Sequence, residues 1–125
     1  MRILKSLVKL LDKAEDAGHA NQNGRLVYYD HGNYSIGKLE SKYYIRMYDD
    51  EVELRHWGTT ILIMSVDMIK YAYAESKSDV DAIKTTIWYM TSGIEYEDVH
   101  YYPSKGESFI GGKEITNGEN VNIAL

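Results

Sequence analysis

Tyr43-Tyr44-Ile45-Arg46-Met47-Tyr48-Asp49-Asp50-Glu51-Val52-Glu53-Leu54-Arg55-His56-Trp57 is the stretch from which the fold is read. Side chains alternate between the two faces of a strand. Tyr43, Ile45 and Met47 therefore share one face, and Tyr44, Arg46 and Tyr48 share the other. The first set is the more apolar, so it is the one expected to point inward. Asp49-Asp50-Glu51 has the composition of a turn, and alternation resumes at 52–57. Residues 43–57 thus predict an antiparallel hairpin with an acidic tip.

The same texture extends both ways. Residues 25–29 and 34–39 predict two earlier strands, separated by a turn at Asp30-His31-Gly32-Asn33. Gly58 punctuates the chain after the hairpin, and 60–66 and 68–73 predict two more strands on either side of Asp67. Residues 25–73 together read as a β-meander. Upstream, Ile3, Leu4, Leu7, Val8, Leu10, Leu11 and Ala14 recur at helical spacing, and Gly18 is the stop. An amphipathic helix over 3–17 is expected, and its apolar stripe is too wide to leave in water. It must bury against the sheet or against a second copy of the chain. Ala20 to Gly24 read as a polar connector, with Asn23-Gly24 as turn and hinge.

After residue 73 the period changes. Val80, Ile83, Ile87 and Met90 recur at helical spacing, with Ser78 as cap and Gly93 as stop, so 79–92 predict a second helix. Short strands return at 95–102, 107–110 and 121–124. Gly112-Lys113 suits a tight turn between Phe109-Ile110 and Glu114-Ile115. The expected fold is α+β in one domain spanning 1–125: an N-terminal helix over 1–18, a meander over 25–73, a helix over 79–92 packed on the sheet, and short strands over 95–125.

Composition narrows the chemistry. The chain has 125 residues, a formal net charge of −5 and no cysteine, which excludes disulfides, thiolate metal sites and cysteine nucleophiles. Lys9, Asp12 and Lys13 interrupt the apolar run after Arg2 and Lys5, so no signal peptide or membrane span is expected, and the reading is cytoplasmic. Asn33-Tyr34-Ser35 matches a glycosylation acceptor, which in such a chain is a chance match. His19, His31, His56 and His100 fall in no metal-ligand spacing. Neither a Gly-x-Ser-x-Gly elbow nor a phosphate-cradling glycine loop occurs. Glu51 and Glu53 share a strand face, a pattern that serves acid–base catalysis in some enzymes and decorates an exposed hairpin in most chains. No catalytic residue, metal or cofactor is expected.

What remains is a surface. Twelve Tyr and two Trp stand against one Phe, and tyrosine combines contact area with a polar tip. The outward residues Tyr44, Arg46 and Tyr48, the tip Asp49-Asp50-Glu51, and Glu53, Arg55 and Trp57 form the candidate partner-binding set. Tyr, Trp and Arg are the residues that anchor protein interfaces. The competing reading is that a helix packs over this face. An acidic chain suits a basic protein surface. The alternative partner is single-stranded nucleic acid stacked on sheet tyrosines, but the basic groove such a role needs is missing.

His56-Trp57-Gly58-Thr59 after a strand, Asp67 between two strands, and a helix containing Thr85-Thr86-Ile87 resemble a group of small bacteriophage proteins. These share a His-aromatic-Gly-Thr signature before a strand–strand–helix unit. The resemblance covers roughly residues 50–125. Tyr71-Ala72-Tyr73 stands where the family pattern has a glycine-tryptophan pair. The resemblance implies phage origin, α+β architecture and residence in the host cytoplasm, and it carries no catalytic residues. With the small size and acidity, it suggests an inhibitor of a host protein, such as a defence component of the kind anti-CRISPR proteins block.

Overall fold

The computed structural model describes residues 2–22, 25–31 and 34–125, with side chains outside 23–40. The expected turn at Asn23-Gly24, the Gly32-Asn33 half of the next turn and the Asn33 acceptor lie outside the described residues. The N-terminal stripe forms α1, Lys5–Ala17, which buries Leu7, Leu10, Leu11 and Ala14. Ile3 and Leu4 precede the helix. Leu4 offers no side-chain cap, and its N–H is held by Thr85 Oγ1 at 3.1 Å. Burial of the three leucines contributes roughly 2 kcal/mol each. Gly18 closes the helix in a left-handed conformation, φ 84°, donating to the Ala14 carbonyl. The Gly18 carbonyl then accepts the Met47 N–H at 2.8 Å, which ties the helix end to the central hairpin.

The remaining elements follow in chain order: β1 His19–Asn21, β2 Arg25–His31, β3 Tyr34–Glu40, β4 Tyr43–Tyr48, β5 Glu51–His56, β6 Thr59–Ser65, β7 Met68–Ala72, α2 Lys77–Met90, β8 Val99–Tyr102, β9 Glu107–Ile110, β10 Lys113–Glu114 and β11 Glu119–Ala124. Among the described residues, an antiparallel sheet runs β1-β4-β5-β6-β7-β11, a smaller one β10-β9-β8, and β2 pairs with β3 alone. Apolar side chains of the large sheet, including Tyr43, Ile45, Leu54, Leu62 and Ile69, share one core with both helices and with Val99, Ile110 and Ile115. Among the described residues, no helix is long and apolar enough to cross a membrane.

The architecture is the expected α+β, with local corrections. The polar connector after α1 is an edge strand, β1, whose only inward side chain is Ala20. One apolar residue in three gives no alternation to detect. Because β1 pairs with β4, the free edge of β4 is taken, and β2–β3 stands as its own ribbon rather than as part of the meander. The cap of α2 is Ser76, not Ser78: Ser76 Oγ accepts the Asp79 N–H at 3.1 Å. The strand expected over 95–102 is cut to β8, because its partner β9 is only four residues long. The tail hairpin turns on Gly111-Gly112, one residue earlier than expected, with φ of 55° and 79°. Two successive left-handed residues match the twist of a two-residue hairpin.

Candidate functional site

The β4–β5 hairpin presents the alternation read from its sequence. Tyr43 and Ile45 are buried, while Arg46 and Tyr48 are exposed and Tyr44 is half-buried. Both helices pack on the opposite, core face of the sheet, so neither covers this one. The register places Tyr44 beside Arg55, Arg46 beside Glu53 and Tyr48 beside Glu51.

These pairs assemble into two stacked clusters. In the first, the Arg46 guanidinium lies 5.7 Å from the Tyr48 ring centre. Tyr48 OH donates to Glu51 Oε1 at 3.1 Å, and Lys70 Nζ donates to Glu51 Oε2 at 2.5 Å. The Lys70 ammonium holds the Glu51 carboxyl below the usual carboxylate range. The hydrogen bond that Tyr48 itself gives to Glu51 raises the Tyr48 phenol. In the second, Arg55 lies 5.6 Å from the Tyr44 ring centre and donates to Glu53 Oε2 at 3.2 Å. Thr60 Oγ1 donates to the same oxygen at 2.9 Å. Glu51 and Glu53 are thus neutralised separately and do not form a paired-carboxylate site.

Lys70 was not foreseen. A bulge in the β6–β7 ladder, where pairing steps from Ile63–Tyr71 to Met64–Ile69, leaves Lys70 as the extra residue and lets it reach across β6. Only a ladder shows such a bulge. Trp57 departs from the expected set. It lies in the turn after β5 with φ 50°, beyond the alternating stretch, and stacks on His56 at 6.0 Å. It therefore stands at the other end of the hairpin from Asp49-Asp50, about 20 Å away for a six-residue strand. What the clusters leave outside their pairing is Asp49 and Asp50 at the tip, both exposed, next to Tyr48, which is paired yet 50% exposed.

A second arrangement was scarcely legible in the sequence. His56 and Asp79, distant in sequence, are both buried, and His56 Nδ1 lies 2.6 Å from Asp79 Oδ1. Asp79 Oδ2 accepts the Glu75 N–H at 2.9 Å. The His56 ring stacks on Tyr43 at 4.8 Å and 17°. The one local signal was Ser76-x-x-Asp79, the spacing of a helix-capping box. His100 is exposed and meets Asp98 at 3.1 Å. Among the described residues, no three His, Asp or Glu side chains converge on a common point suited to a metal.

No family model, curated protein or solved structure matches this chain.

Proposed function

We propose that the chain acts by binding, without turnover, and that it docks on a basic protein surface through the tip of the β4–β5 hairpin. The observation that carries this reading is the contrast at the tip. Tyr48 is half exposed yet clamped, by Arg46 on its ring and Glu51 on its hydroxyl. Beside it, the carboxylates of Asp49 and Asp50 are exposed. A clamped aromatic offers desolvated contact area with its rotamer entropy already lost. Exposed carboxylates steer a basic partner and raise its on-rate. The nucleic-acid alternative is weakened because Arg46 and Arg55 already stack on the tyrosines a base would need. The narrower idea, a phage inhibitor of a host defence protein, rests on the resemblance of residues 50–125 and on small size and acidity.

The test compares the wild-type chain with a Tyr48→Ala, Asp49→Asn, Asp50→Lys variant in affinity capture from bacterial lysate. Asn is chosen at 49 because φ is 53° there, a conformation Asn tolerates. Basic proteins held by the wild type should be lost from the variant, with binding weakened about 30-fold or more, the mark of a hot spot. Circular dichroism should be unchanged. Equal capture by a folded variant would refute the tip as the working surface. A labelled oligothymidylate should not bind. Binding that falls steeply between about 50 and about 200 mM salt would favour nucleic acid instead.

A further inference from the structure

The His56–Asp79 pair floors a cleft of about 400 Å³ at the head of α2. Trp57 and Tyr73 supply aromatic walls, and Glu75 and Ser78 stand with Asp79 on the helix side. From this lining we infer that the cleft receives a guanidinium group, the side chain of an arginine in a partner polypeptide. The site is separate from the hairpin tip, and the inference does not depend on the role proposed for the tip.

Hydrogen-bonding capacity points the same way. Asp79 Oδ2 accepts the Glu75 N–H, and with Asp79 ionised Oδ1 can only accept, which makes His56 Nδ1–H the donor in their bond. In the neutral ring, Nε2 is then a lone-pair acceptor. His56 is 7% exposed, yet Nε2 has no partner among the described residues. Nor is it a sealed, orphaned atom, since Gln22 Oε1 alone holds that status among the described side chains. In the neutral ring Nε2 is therefore a free acceptor on a nearly buried residue that lines the cleft. Glu75 Oε2 accepts from Tyr73 OH at 2.8 Å, and Glu75 Oε1 is left for an incoming donor. A guanidinium, with five N–H donors and no acceptor, complements this set.

Charge complements it too. No Lys or Arg lines the cleft among the described residues. Lys77, the first residue of α2, is 81% exposed at its side chain and pairs with Asp81 at 3.6 Å. The α2 N-terminus contributes about half a positive charge, which the Glu75 and Asp79 carboxylates outweigh. Ser76 has already taken the Asp79 N–H with its hydroxyl and the Val80 N–H with its carbonyl, so the helix end is not open to an anion. The tyrosines feel the resulting field. The bond to Glu75, then burial, pushes Tyr73 up to about 12, and burial followed by Asp79 and Asp81 raises Tyr43. Guanidinium is preferred to ammonium because it is planar, weakly hydrated and stacks on rings. The chain itself stacks arginine on tyrosine at Arg46–Tyr48 and Arg55–Tyr44.

The test titrates isotope-labelled protein with N-acetylarginine amide and follows the Trp57 indole N–H and neighbouring amides by NMR. Saturable shifts at Trp57, Tyr73 and Glu75 are expected, with the neutral isostere N-acetylcitrulline amide about 10-fold weaker or worse. Glu75 is exposed, so Glu75→Gln should fold normally and weaken arginine binding several-fold. Tyr73→Phe keeps the ring and should retain binding. Shifts that never saturate, that map elsewhere, or that citrulline reproduces would overturn the proposal. N-acetyllysine amide binding as well as the arginine compound would overturn the guanidinium assignment.

Discussion

Gly118 and Gly112 have the same backbone conformation, φ 79°, but different surroundings. A Cβ at Gly118 would lie 2.2 Å from Tyr71 Oη and 3.0 Å from Cζ, whereas at Gly112 nothing lies within 4 Å. Alanine at either position adopts a left-handed conformation at a cost of about 1 kcal/mol. At Gly118 the Tyr71 ring must also be displaced from the face of β7, adding roughly 1–3 kcal/mol. Gly118→Ala should therefore melt several degrees below Gly112→Ala in thermal denaturation. Equal melting temperatures would mean that Tyr71 swings aside freely. At the same scale lies the hardest thing to foresee: the His56–Asp79 contact. Each residue is ordinary where it stands in the sequence, one ending a strand and the other in the first turn of a helix. Only the packing of α2 against the sheet brings them together.

At the scale of elements, legibility follows the strength of the local signal. β4 and β5 were readable because each alternates over six residues around a turn rich in aspartate. α1 was readable because its stripe is continuous, and its burial against its own sheet answers one of the two expectations for it. Its true start at Lys5 depended on a tertiary bond from Leu4 to Thr85, which no local pattern encodes. β1 was missed because a three-residue polar edge strand is defined by its neighbour. The bulges behaved likewise. Ile61 and Leu62 are adjacent yet both buried, because the β5–β6 register slips between Leu54 and Arg55. In the candidate surface, the outward face of β4 followed from alternation. Trp57 left the set because alternation stops where the turn begins.

Across the whole molecule, tyrosine chemistry sets an alkaline limit on stability. The Tyr89 phenol is raised by burial and by donating between Glu15, at 2.5 Å, and Asp12, at 2.7 Å, a contact that ties α2 to α1. Tyr73 is pushed up to about 12, and burial also raises Tyr43 and Tyr96. A phenol raised in the folded state holds its proton more tightly than in the unfolded chain. Its contribution is fully present below about pH 10, the ordinary tyrosine value, and is lost as pH rises through the folded value. Melting temperature should thus fall steadily above about pH 10, and Tyr89→Phe and Tyr73→Phe should each flatten that fall. A wild-type curve as flat as that of the double variant would contradict this account. Topology has its own molecular consequence. The chain leaves the large sheet at Gln22 and rejoins it at Lys42, and these two residues are joined to each other and to β4: Lys42 N–H to the Gln22 carbonyl at 3.2 Å, Gln22 N–H to the Tyr43 carbonyl at 2.9 Å. Among the described residues in between, β2 and β3 pair only with each other. Such a segment is a cassette, whose length can change without altering the path of the sheet, and each doubling of its length costs only about 0.6 kcal/mol of closure entropy. Replacing residues 23–41 with a two-residue Asn-Gly turn should leave a cooperatively melting protein with α1 and the β4–β5 register intact by NMR. A collapsed or molten product would mean that the cassette is part of the frame.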